Sequence, residues 1–188
     1  MNSIASLQAS YRGCSSCSGI LGKVSIGKGN TNSDLMFVSL SPINDVTQNK
    51  LDSILSYMQR HKDDIWITTS VKHTTPNSPR ECIENCKSIL LEELSIIKPK
   101  IVWLSGQDAM YSFFPNKKLS VVRGAVFEAF EYPDYLFFCT HDIASMVLTD
   151  VELRKLKARS RIDFEQYNKR YLELTYDINK LTEVLKEV

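Results

Sequence analysis

The chain has 188 residues, 43% hydrophobic and 24% charged, which fits one ordinary globular domain and excludes a disordered or membrane-embedded chain. A formal charge of +1 excludes a uniformly basic nucleic-acid binder, so any contact with DNA needs a local concentration of Lys and Arg. The stretch 1–11 lacks a basic segment followed by an apolar run, and nothing reaches the roughly 18 apolar residues of a membrane span, so a cytoplasmic protein with no membrane partner is expected.

Cys14 and Cys17 come first, in a short chelating loop. With five cysteines in all, an odd number, a secreted disulfide framework is disfavoured over metal ligation or buried thiols. The apolar run 34–40, closed by Ser41 and Pro42, predicts a buried strand. Residues 51–60 have helical spacing, 64–71 reads as a second strand, and 72–79, with Pro76, Asn77 and Pro79, reads as a loop. A helix is predicted over 79–97, with Ile83, Cys86, Leu90, Leu94 and Ile97 on one stripe, ended by Lys98 and Pro99. Strands at 101–104 and 135–140 flank a short helix at 107–114 and an edge strand at 126–130. From 150 to 188 the chain is helical and highly charged.

Strands alternating with helices predict a three-layer α/β/α sandwich around a mainly parallel sheet of about four to five strands, in one domain. Ligands of such sheets bind beyond the carboxyl ends of the strands. Three ends are therefore candidates: Ser41 to Asp45, Thr69 to His73, and His141 to Ser145.

The same segments, in the same order, resemble the iron-sulfur branch (family four) of the uracil-DNA glycosylase superfamily. The resemblance rests on Cys14-x-x-Cys17 and the Gly-rich stretch after it, the strand Asp34-Leu35-Met36-Phe37-Val38, and the strand from Ile65 to Lys72. It continues through Cys82-Ile83-Glu84-Asn85-Cys86, the Lys98-Pro99-Lys100 strand ending at Ser105-Gly106, Arg123-Gly124, and Thr140-His141. It departs from the family at the active-site positions. Ser39-Leu40-Ser41-Pro42-Ile43 replaces Gly-Glu-Ala-Pro-Gly, the uracil-stacking Phe is absent, Thr69 replaces the Asn that reads uracil, and His141-Asp142-Ile143 replaces His-Pro-Ser.

The resemblance implies an enzyme that flips a nucleotide out of DNA and hydrolyses its N-glycosidic bond. The departures enlarge the pocket, so a modified base is expected in place of ordinary uracil, for example a hypermodified cytosine of phage DNA met in phage defence. The alternatives are a catalytically inactive DNA-binding or replication-partner relative, or a plain interaction module. Hydrolysis needs charge relief on the departing base and a positioned water. His141 is expected to serve the base, and Asn44 and Asp45 the water or the sugar cation, although both also suit a helix cap. Ser41, Ile43, Thr69 and Asp142 are expected to line the base pocket, with Asp142 equally suited to capping the helix that follows.

DNA contact is expected from Lys72, Arg123, Ser145 and Met146 and from the basic cluster Arg154, Lys155, Lys157 and Arg159, with Ile143, Met146, Val147 and Leu148 as an apolar wedge. The same cluster also suits a solvated helical face. Cys14, Cys17, Cys82 and Cys86 are the expected metal ligands, Cys82 standing in for a family cysteine expected near 101–104. A 4Fe-4S cluster is the expected cofactor, with zinc or reduced buried thiols as alternatives. Cys139 is assigned to the core, and His61 and His73 to solvent. A monomer is expected.

Overall fold

The computed structural model describes residues 3–17, 24–73 and 79–188. The Gly-rich stretch at 18–23 and most of the Pro-containing loop, 74–78, lie outside the described residues. Helix α1 (Ile4–Ser10) leads to strands β1 (Lys28–Gly29) and β2 (Leu35–Ser39), helix α2 (Asp45–Tyr57) and strand β3 (Trp66–Thr69). Helix α3 (Pro79–Ile97), strand β4 (Ile101–Ser105), helices α4 (Gln107–Tyr111) and α5 (Leu119–Val122), and strands β5 (Val126–Glu128) and β6 (Leu136–Thr140) follow. A 3-10 turn (Ile143–Met146) and helices α6 (Asp150–Arg159) and α7 (Arg161–Glu187) complete the chain.

The sheet has six strands in the order β1-β3-β2-β4-β6-β5. The central four are parallel, and the two edge strands run antiparallel to their neighbours. The strand beyond the expected number is β1, whose two residues, Lys28 and Gly29, carry no apolar alternation to read.

Because successive strand side chains point to opposite faces, each apolar run divides between two cores. Leu35, Phe37, Ile101, Trp103 and Phe138 point to one face, where they meet Leu51 and Leu55 of α2 and Leu174, Ile178 and Leu181 of α7. Met36, Val38, Val102, Leu104 and Phe137 point to the other, against Ile89, Leu90, Leu94 and Ile97 of α3 and Met110 of α4. Helices thus cover both faces of the sheet, as the α/β/α reading requires. The charged C-terminal stretch is two helices, and the second contributes to the core. They divide at Ser160, whose side chain accepts a hydrogen bond from Asp163 N and caps α7. No helix among the described residues is long and apolar enough to cross a membrane.

Each parallel strand ends in a buried hydroxyl residue: Ser39, Thr69, Ser105 and Thr140. These hydroxyls fasten the turns that leave the sheet. Ser39 Oγ donates to Ser41 O, Thr69 Oγ1 donates to Val71 O, and Ser105 Oγ accepts from Ile143 N. Thr140 Oγ1 accepts from Trp103 Nε1 and donates to His141 O.

Candidate functional site

The three candidate segments leave the carboxyl edge of the sheet, where a parallel sheet presents its ligand site. Ile43 and Thr69 line a hollow of about 130 Å³ at the ends of β2 and β3. Ser41 is exposed beside it and contributes the carbonyl that ties down Ser39. His141 and Asp142 line a separate hollow of about 640 Å³ together with Arg123, Ser145, Arg170 and Glu173. The expected pocket residues are therefore split between two hollows. Thr69 and His141 end strands separated by β2 and β4, about 14 Å apart at the usual strand spacing.

Two candidate side chains are engaged as helix caps. Asn44 Oδ1 accepts from Thr47 N at 2.9 Å and closes the amino end of α2. Asp142 Oδ1 accepts from Ala144 N at 3.1 Å and starts the 3-10 turn. Burial is the first influence on the Asp142 carboxyl and pushes its pKa above the ordinary aspartate value. Gly106, with φ of 96°, leaves room for this side chain, since a Cβ there would stand 2.8 Å from Asp142 Cβ. Asp45 is exposed in the first turn of α2, where a carboxylate is favoured by the helix dipole. The first turns of α2 sit near the segment after His141, because Val46 and Asn49 share a hollow with Met146 and Val147.

His141 is part of an ionic network. Its Nε2 lies 2.6 Å from Glu173 Oε2 of α7, and Glu173 Oε1 lies 3.6 Å from Arg123 Nη2. Arg123 Nη1 reaches both carboxylate oxygens of Asp177, at 2.6 and 2.8 Å. The hydrogen bond from His141, ahead of the charge of Arg123, holds the Glu173 carboxyl below the usual glutamate value. Asp177 is almost fully buried, and burial pushes its carboxyl up against the pull of Arg123. Arg123 was expected on DNA; its guanidinium is turned inward, and its charge is balanced by α7.

A family model described as Uracil DNA glycosylase superfamily matches residues 26–148. The chain belongs to this superfamily. No curated protein matches the chain. Membership in the uracil-DNA glycosylase superfamily implies DNA glycosylase chemistry in general and DNA as the substrate. Glu173 and Asp177 lie beyond the matched segment, so no family motif could have pointed to them, and in the sequence they are two charges among many on an amphipathic helix.

Two further DNA-contact expectations are corrected by burial. Lys72 is fully buried, its Nζ 2.7 Å from Thr68 Oγ1 and 3.0 Å from Glu93 Oε1. Glu93 also accepts from Gly27 N, Trp66 Nε1 and the Thr68 hydroxyl. Burial pulls the Lys72 ammonium below its ordinary pKa, opposed by Glu93. The sequence did carry a sign of this partner: Glu93 falls on the apolar stripe of α3, three residues after Leu90 and seven after Cys86. Met146 is also buried, beside Ile143, because a 3-10 turn stacks positions three apart on one side. Ala144 and Ser145 are the exposed members of that turn. Arg154, Lys155, Lys157 and Arg159 are exposed on α6, and Lys157 Nζ stands 5.4 Å over the Phe164 ring.

Of the expected metal ligands, Cys17 and Cys86 come together, and the third donor is His73. One donor atom from each of Cys17, His73 and Cys86 lies within 4.8 Å of the others, and all three residues are buried. The solvent reading of His73 is thereby corrected. The residue is 2% exposed, and neither ring nitrogen has a hydrogen-bond partner among the described residues. Cys17 from the amino-terminal segment and Cys86 from α3 stand beside it, a neighbourhood that its polar sequence neighbours do not reveal. Burial pulls its pKa below the ordinary histidine value. Cys14 is half-buried, and its charge, like that of Cys17, adds to the burial that pushes the Cys86 thiol up. Cys82 packs with Cys17, Val71 and Ile83 in a small apolar cluster and does not join the group of three donors.

Proposed function

We propose that this chain hydrolyses the N-glycosidic bond of a flipped-out modified base in DNA, leaving an abasic site, and acts as a monomer. The observation that carries this reading is the pair at the end of β6. His141 faces a hollow of about 640 Å³ with its Nε2 held by Glu173. Nδ1 is the ring nitrogen left for a base, and in the protonated ring it is a donor that relieves negative charge on the departing base. Asp45 supplies an exposed carboxylate for the sugar cation or its attacking water. Thr69, in the position of the uracil-reading Asn, spends its hydroxyl on Val71 O, which argues against ordinary uracil as substrate. A hypermodified cytosine, as in phage DNA, fits a pocket without the stacking Phe.

The exposed cations Arg154, Lys155, Lys157 and Arg159 would neutralise phosphates, with Ser145 at the tip of the 3-10 turn. A metal held by Cys17, His73 and Cys86 would supply structural support by joining the amino-terminal segment to α3.

A second reading, a DNA-binding or replication-partner protein without base release, is favoured by the engagement of Asn44, Thr69, Asp142 and His141 within the protein. Mass spectrometry of bases freed from differently modified and uracil-containing DNAs separates the two. The expected result is release of a modified base, with His141→Ala slowing it by at least about 100-fold while DNA affinity is retained. Binding without release from any substrate would establish the second reading.

A further inference from the structure

We propose that Cys14, Cys17, His73 and Cys86 bind a single zinc ion, in place of the four-iron cluster that the family resemblance implies. The proposal stands independently of which base is excised, or whether any is.

The donor set does not suit the cluster. The cysteine that the family places near 101–104 is absent, and β4 offers only apolar side chains and a terminal serine there. In its place an imidazole reaches the thiols from the end of β3. A buried polar ring with neither nitrogen partnered among the described residues is costly, and coordination by one nitrogen relieves the part of that cost that falls on the ligating atom. Spacing points the same way. Tetrahedral zinc with Zn–S bonds of about 2.3 Å holds its ligand atoms about 3.5–4 Å apart. The Cys17, His73 and Cys86 donors, within 4.8 Å of one another, need little adjustment to reach this. A cubane spreads its terminal sulfurs further, because each hangs from a different iron.

The surroundings are those of ligating thiolates. Lys72 N donates to Cys86 Sγ at 3.5 Å, and Asn85 Nδ2 donates to Cys17 Sγ at 3.6 Å, so both sulfurs receive the outer hydrogen bonds that stabilise a ligand's charge. Cys14 stands outside the group of three donors and takes the fourth position on the Cys-x-x-Cys spacing common to zinc sites; its half-buried thiol donates to Ser16 Oγ at 3.5 Å.

The test uses the full chain expressed with both metals supplied and purified without oxygen. Metal and acid-labile sulfide analysis should find about one zinc per chain, no stoichiometric sulfide and no visible iron-sulfur absorption. X-ray absorption at the zinc edge of the unaltered protein should show a mixed shell of sulfur and nitrogen. His73→Ala should weaken zinc binding at least about tenfold in chelator competition, while His73→Cys should keep zinc with an all-sulfur shell. Stoichiometric iron and sulfide, an all-sulfur zinc shell in the unaltered protein, or a chain that neither retains nor takes up zinc would each overturn the proposal.

Discussion

His141 Nε2 and Glu173 Oε2 stand 2.6 Å apart, so the histidine at the end of β6 is fastened to a helix that lies outside the superfamily match. Glu173 in turn meets Arg123, which meets Asp177, making α7 a second wall of the hollow.

Replacing Glu173 by Gln should cost about 1 kcal/mol at neutral pH, modest because the carboxylate is partly exposed. Its folded pKa is depressed, so this stabilisation is complete above roughly pH 5 and is lost as pH falls through the lowered folded value. Urea unfolding of both proteins at stepped pH should show the gap closing on the acid side. A gap that stays open once the pH has fallen well below the ordinary glutamate value would contradict the pairing.

Lys72 and Glu93 are both fully buried, so removing either one leaves an uncompensated charge. Lys72→Met or Glu93→Leu should each destabilise by about 3–5 kcal/mol. The double substitution should recover only part of this, because Gly27 N and the Thr68 hydroxyl lose their acceptor. Thermal unfolding of the four proteins measures the coupling.

Asn44→Ala should cost about 1 kcal/mol through loss of the α2 cap, whereas Asn44→Asp preserves the acceptor and the stability. Base release by the Asp variant should stay within a few-fold of the original. Loss of release from a stably folded Asn44→Asp protein would restore this side chain to the reaction.

Exchanging Arg154, Lys155, Lys157 and Arg159 for Gln should flatten the dependence of duplex affinity on salt, by about 0.9 in the log–log slope for each cation that meets a phosphate. Fluorescence anisotropy across a salt series gives the slope. An unchanged slope would make α6 an ordinary solvated face.

The sheet was legible because its strands are runs of large apolar residues, and because β-strand alternation then sorts Phe37 from Met36 and Trp103 from Val102 onto opposite cores. The short β1 was not, since its pairing with β3 depends on tertiary contact alone. His141 was visible through its place in an ordered series of motifs. Its partner Glu173 was hidden among the charges of α7, where only the folded packing selects one carboxylate. His73 shows the reverse error: its neighbours in sequence gave no sign of burial, yet it is buried beside Cys17 and Cys86, which are distant from it in the chain. Lys72 was misassigned to DNA contact, although Glu93 on the apolar stripe of α3 was a readable hint of a buried countercharge.

The row of hydroxyls closing the parallel strands carries a consequence for how this protein can change. Because Ser39, Thr69, Ser105 and Thr140 anchor the exits from the sheet through backbone atoms, the anchorage is indifferent to most side chains further out along each loop. Loop tips can therefore be rewritten for a new chemical target while the scaffold beneath them keeps its register, and this separation permits a divergent rim on an inherited frame.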